Sequence, residues 1–82
     1  MEMIKVNVLF FGATAEAVGE REIEMNFNDR LKSAEAFAEI KEKFPQLNAH
    51  KLLFAVNQEY TSGGELIKNG DELAVFTAVS GG

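Results

Sequence analysis

The chain has 82 residues, no cysteine, one histidine (His50) and a formal net charge of −5. This is the length of a single domain, one that buries roughly 60–65% of the surface its unfolded chain exposes, enough for one modest core. The lack of cysteine excludes disulfides, thiolate metal sites and thiol nucleophiles, one histidine is too few for a histidine-rich zinc or iron site, and the acidic balance argues against nucleic acid, whose phosphates require Lys and Arg.

Carboxylates are plentiful, but no D-x-D-x-D-G loop gathers them for calcium. Apolar runs are too short to span a membrane. The start, Met1-Glu2-Met3-Ile4-Lys5, lacks the basic and apolar regions of a signal peptide. A cytoplasmic protein is the expectation, with an acidic surface suited to a basic partner.

Ile4 to Phe11 alternates with both faces partly apolar: Ile4, Val6, Val8 and Phe10 on one, Leu9 and Phe11 with Lys5 and Asn7 on the other. Such a strand belongs in the middle of a sheet. Gly12 to Gly19 reads as a loop or short helical turn closed by glycine; it lacks the Gly spacing and Lys-Ser/Thr of a phosphate loop. Glu20 to Phe27 alternates cleanly, with Ile23, Met25 and Phe27 inward and an acidic outer face, the pattern of an edge strand. Asn28-Asp29-Arg30 turns the chain.

Ser33 is placed to N-cap a helix with Glu35 in its first turn. Ala34, Phe37, Ile40 and Phe44 fall on one face at helical spacing. Glu39 and Lys43 are an i,i+4 pair, and Pro45 ends the helix. Gln46 to His50 reads as a plain connector. Lys51 to Val56 is a third strand, with Leu52, Phe54 and Val56 opposite Leu53 and Ala55. After the turn-rich Thr61-Ser62-Gly63-Gly64, Glu65-Leu66-Ile67 reads as a short fourth strand, Asn69-Gly70 as a hairpin turn, and Glu72 to Ala78 as the last strand. The expected fold is α+β, a mixed sheet of about five strands with one long helix across one face. One helix covers one face only. The other would present Leu9, Phe11, Leu53, Ala55, Ala74 and Phe76, an apolar patch of the kind that marks an interaction surface unless loops cover it.

The domain is expected to span residues 1–78, with 79–82, Val79-Ser80-Gly81-Gly82, as a flexible tail. Glycine has no side chain, so a Gly-Gly end can enter a narrow channel. Four extended residues reach roughly 13 Å, at about 3.3 Å each. The terminal carboxylate is inert until activated, for example by adenylation, after which a nucleophile can attack it. A frayed, inert end is the alternative.

Three stretches resemble the MoaD family, the small subunit of molybdopterin synthase, a ubiquitin-like β-grasp sulfur carrier. Val8-Leu9-Phe10-Phe11-Gly12 through Glu16 and Gly19 is similar to the family's opening motif. Phe54-Ala55-Val56-Asn57-Gln58 is similar to its A-V-N-x segment, and Asn69-Gly70-Asp71-Glu72-Leu73-Ala74 through Val79-Ser80-Gly81-Gly82 to its G-D-E-V-A and P-V-S-G-G ending. Ala15 stands where that family commonly has arginine, and Thr77-Ala78 where it usually has two prolines.

The resemblance implies that Gly82 is adenylated by a ubiquitin-activating-like enzyme using ATP and converted to a thiocarboxylate with sulfur from a donor protein. Gly81 gives the tail access, and no bound cofactor is needed. The tail would deliver sulfur to cyclic pyranopterin monophosphate inside the large subunit, in a heterotetramer of two small and two large subunits. Phe11, Tyr60 and Phe76 occupy positions of the family's apolar docking patch, with Val79 and Ser80 also on the partner side. Without cysteine, the chain would carry sulfur only at its end. It would not be catalytic alone. A thiamin-pathway or tRNA-thiolation sulfur carrier, a ubiquitin-like modifier joined to lysines, and a plain interaction domain are the other readings.

Overall fold

The computed structural model describes residues 2–77; the 1–78 domain boundary, the expected strand end at Ala78 and the tail positions Val79, Ser80, Gly81 and Gly82 lie outside the described residues. The elements run β1 (Met3–Phe10), α1 (Ala13–Val18), β2 (Glu22–Asn28), α2 (Ser33–Lys43), a 3₁₀ turn (Pro45–Ala49), β3 (Leu52–Val56), β4 (Glu59–Tyr60) and β5 (Glu72–Thr77). The strands form one sheet in the order β2-β1-β5-β3-β4. β1 and β5 are parallel; the other pairs are antiparallel. This is the expected α+β architecture, with β2 at an edge and β1 inside.

The core lies between the sheet and α2. Val6, Val8 and Phe10 of β1 and Leu73 and Val75 of β5 meet Ala36, Phe37 and Ile40 of the helix, with Phe27 and Leu47 closing the ends. Phe10 packs edge-on against Phe44 at 5.6 Å, and Phe37 lies 4.1 Å from Phe54. Each large apolar side chain buried in this way contributes about 1.5–3 kcal/mol.

Several local expectations give way to tertiary contacts. Lys32, not Ser33, is the N-cap of α2; its N–H donates to Glu35 Oε1 at 3.0 Å. Ser33 instead turns inward, its hydroxyl donating to Glu65 Oε1 at 2.8 Å. The buried stripe accordingly runs through Ala36, Phe37 and Ile40, while Ala34 is exposed and its N–H donates to Gly63 O at 3.1 Å. Glu39 and Lys43 do not pair: among the described residues the ion pair within 4.0 Å is Lys5–Glu24, and Lys43 lies over the Phe44 ring. The segment after Pro45 is no plain connector, because its 3₁₀ turn buries Leu47 completely.

The fourth strand is Glu59–Tyr60, not Glu65–Ile67, where Leu66 makes one isolated bridge to Lys32. β3 and β4 are joined by Asn57 (φ 49°) and Gln58 (φ 72°), the two left-handed positions of a tight I′ turn. Asn57 anchors that turn to β5: its side-chain oxygen accepts the Glu72 N–H at 2.9 Å and its amide donates to Asp71 Oδ1 at 3.1 Å. The Asn69-Gly70 turn makes no hairpin. Gly70 takes φ +89°, and among these residues only it is left-handed, as in a type II turn. The turn bonds to the start of β1, with Asn69 Oδ1 accepting the Lys5 N–H at 2.9 Å and the Gly70 N–H donating to Lys5 O at 2.8 Å. It thereby launches β5 alongside β1 in parallel. Among the described residues no helix is long and apolar enough to cross a membrane.

Candidate functional site

The face of the sheet away from α2 carries the candidate site. Pairing sets Leu9 beside Ala74, Ala74 beside Ala55, and Ala55 beside Tyr60, one row across four strands. The next row sets Leu53 beside Phe76, and the Phe11 N–H, donating to Val75 O at 3.1 Å, brings Phe11 alongside. Small residues thus sit in the middle and large ones around them.

Phe11 is held there by α1. Thr14 is completely buried. Its hydroxyl accepts the Phe11 N–H at 3.0 Å and sits 2.7 Å from Phe11 O and 2.8 Å from Val75 O, to which it donates. This ties the end of β1 to β5 beside Phe76. Gly19, left-handed at φ +85°, closes the short helix as the sequence suggests.

The result is a shallow hollow of about 280 Å³. Its floor is Ala55 and Ala74, only 7% and 8% exposed although no helix among the described residues covers them. Its walls are Phe11, Tyr60 and Phe76, with the Tyr60 and Phe76 rings 5.8 Å apart. Tyr60 is 74% exposed and Phe11 50%, which is unusual for side chains of their size. Glu72 and Gln58 complete the lining. The three aromatic residues named from the sequence are therefore brought together; of the face expected to be open, Phe11 is exposed, Leu9, Leu53 and Phe76 are half-buried, and Ala55 and Ala74 are buried between them. Val79, Ser80, Gly81 and Gly82 lie outside the described residues.

Two lining residues escape a reading of the sequence. Glu72 shares the phase of Ala74 and Phe76, so alternation along β5 alone could have placed it. Gln58 needs the β3–β4 register, which no local pattern announces. Beyond Phe11 the surface drops into an open depression of about 910 Å³ bordered by Ala15, Glu16, Glu20 and Glu22.

A second polar cluster is structural. Glu65 Oε1 accepts from the hydroxyls of Thr61 and Ser33 and from the Gly63 N–H. These bonds, the Thr61 hydroxyl foremost, followed by the residue's own N–H and the Ser33 hydroxyl, hold the Glu65 carboxyl down at about 2. They pin the loop after β4 to the start of α2 and do not line the hollow. Among the described residues no group of three or more His, Asp or Glu side chains is placed to hold a metal ion. The hollow offers apolar surface with one acidic residue, Glu72, and one amide residue, Gln58, in its lining, groups suited to recognition.

A model described as the ThiS family matches residues 8–82. The human protein named molybdopterin synthase sulfur carrier subunit is 33% identical over 98% of this chain and 97% of its own length. The crystal structure of SAMP1 from Haloferax volcanii superposes with a TM-score of 0.83 at 25% identity, covering 95% of this chain and 99% of that one. A chain from the complex of subunits 1 and 2 of the molybdopterin-converting factor of Helicobacter pylori shares the fold, with a TM-score of 0.69 at 24% identity over 96% of this chain and all of that one. With a family match over nearly its whole length and a ubiquitin-like β-grasp fold in common with these structures, the chain belongs to the ThiS family, with MoaD-type sulfur carrier subunits among its relatives.

Proposed function

We propose that this chain is the sulfur carrier subunit of a molybdopterin synthase. The observation that carries the reading is the full-length likeness to a protein of that name, with the family match reaching residue 82. In this reading an adenylating enzyme joins the Gly82 carboxylate to AMP from ATP, releasing pyrophosphate. Sulfide sulfur from a donor protein then displaces AMP and leaves a terminal thiocarboxylate. The thiocarboxylate sulfur is anionic and a better nucleophile than oxygen; in the large subunit it forms a C–S bond to a side-chain carbon of cyclic pyranopterin monophosphate as a C–O bond at that carbon breaks and the oxygen leaves, one sulfur of the molybdopterin dithiolene per carrier. Water then cleaves the acyl–sulfur bond, leaving sulfur on the pterin and restoring the carboxylate. Gly81 lets the end enter the partner without a side chain to clear, with Val79 and Ser80 leading it in.

The open hollow supports the docking half of this reading. Phe11 and Tyr60 are exposed and Phe76 is half-buried, three aromatic side chains grouped at one spot, as residues that dominate binding at interfaces are. The partner is the large synthase subunit, in an assembly of two small and two large chains. The acidic surface suits a basic partner, and the carrier works in the cytoplasm.

The test is the intact mass of the chain from cells making molybdenum cofactor, with fragmentation of the C-terminus. Sulfur in place of one oxygen on Gly82 is the expected result. The fold match to SAMP1, the small archaeal modifier protein 1, favours a second reading in which Gly82 is joined to lysines of other proteins. An unmodified carboxylate together with Gly-Gly-linked lysines on other proteins would overturn the carrier in favour of the modifier.

A further inference from the structure

The hollow is chemically lopsided in a way that apolar docking does not use. Its floor is two alanines and its walls are aromatic, but an acidic residue, Glu72, and an amide residue, Gln58, also line it. Glu72 reaches this face because it alternates in step with Ala74 and Phe76 along β5. Its backbone is fixed from both sides: its N–H donates to Asn57 Oδ1 at 2.9 Å, and its carbonyl accepts the Asn57 N–H at 2.7 Å. Asn57 precedes Gln58, which is held left-handed at φ 72°, so one short turn positions both polar groups. Among the described residues the ion pair within 4.0 Å is Lys5–Glu24. Glu72, half-buried in the lining of an apolar hollow, has no cation within 4.0 Å among the described residues.

We infer that the hollow is a subsite for one arginine side chain of the docking partner. The inference rests on the reading that this face docks a partner, and it names the chemistry of the anchor. At about 280 Å³ the hollow is smaller than the roughly 300–1,000 Å³ of small-molecule pockets, so it suits a single side chain. The arginine stem lies over the methyls of Ala55 and Ala74. The planar guanidinium stacks beside the Tyr60 and Phe76 rings, whose faces attract a cation, and its paired N–H groups meet the Glu72 carboxylate two at a time. The Gln58 carbonyl oxygen accepts a further N–H. A lysine ammonium is more strongly hydrated and makes no such fork. An aliphatic side chain would fill the floor but would strip water from Glu72 without replacing it. The net charge of −5 favours the same sign of partner at longer range.

The test needs no partner protein. N-acetyl-arginine amide, N-acetyl-lysine amide and N-acetyl-norleucine amide are titrated separately while the methyl resonances of Ala55 and Ala74 are followed by NMR. The expected result is that the arginine probe shifts both methyls with an affinity about fivefold above norleucine. That preference falls to about onefold in Glu72→Gln and persists in Glu42→Gln, an exposed carboxylate on α2. Unchanged Val8 and Leu73 methyl resonances establish that Glu72→Gln is folded. Norleucine binding as tightly as arginine, an arginine preference that survives Glu72→Gln, or no shift at either alanine would each overturn the inference. The carrier reading stands or falls separately on the mass of the C-terminus.

Discussion

Both faces of the sheet are built from the same strands, yet they follow opposite rules. On the α2 side, β5 contributes Leu73 and Val75, both completely buried, and every neighbour is sized to fill space. One residue over, the same strand contributes Ala74 and Phe76 to the other side, where a small floor lies between large, wet walls. The first face is closed by the chain's own helix. The second is shaped but left uncovered, which carries a standing risk of unwanted association. Alternation of period two lets one strand meet both demands independently. Substitutions on the two faces should therefore separate folding from docking.

The largest effect should come from the closed face. Ile40→Ala removes a completely buried side chain and should cost about 2–5 kcal/mol in chemical denaturation. Tyr60→Ala is the matching change on the open face. Stability should move by less than about 0.5 kcal/mol, while affinity for the large synthase subunit, read by calorimetry, should fall by about 2 kcal/mol, or roughly thirtyfold. A stability loss with unchanged affinity would erase the distinction between the faces.

Thr14→Val sharpens the comparison, because Thr14 lies where the faces meet. It removes a buried hydroxyl from Phe11 and Val75 and should cost about 1–3 kcal/mol. Docking should weaken as well, through the position of Phe11.

The smallest effect concerns pH. The Glu65 carboxyl is lowered from 4.5 to about 2. The stability it adds is complete above pH 4.5 and is lost as pH falls toward 2. Acid titration of the unfolding midpoint should show wild type losing stability more steeply than Glu65→Gln in that window, with the two curves parallel above it.

Side-chain periodicity carried much of this architecture. β1 and β2 follow their alternation, and one helix set against two sheet faces leaves Phe11 and Phe76 on the side it does not cover. Periodicity fails where long-range contacts decide. Ser33 has the chemistry of a cap, but Glu65 and Thr61, distant in sequence, claim its hydroxyl. β4 is only two residues long, and its turn is Asn57-Gln58 rather than a glycine pair, so neither pattern nor turn signal marks it. Asn69-Gly70 looks like a hairpin signal, but its partner is Lys5 at the far end of the chain. Leu47 is apolar among polar neighbours, and only the 3₁₀ turn carries it into the core. Of the site, Phe11, Phe76, Ala55 and Ala74 are legible from phase and Tyr60 from resemblance; Gln58 needs the β3–β4 register.

The parallel pairing of β1 with β5 also has a mechanical consequence. β1 begins at one end of the sheet and β5 finishes at the other. A load drawn between Met3 and Thr77 would pull these two strands past each other lengthwise, so their hydrogen bonds would share the force instead of opening one after another. Tension applied at Thr77 would therefore load β1 and β5 along their length. Pulled from that end, the domain would resist by shear along β1 and β5 rather than by peeling.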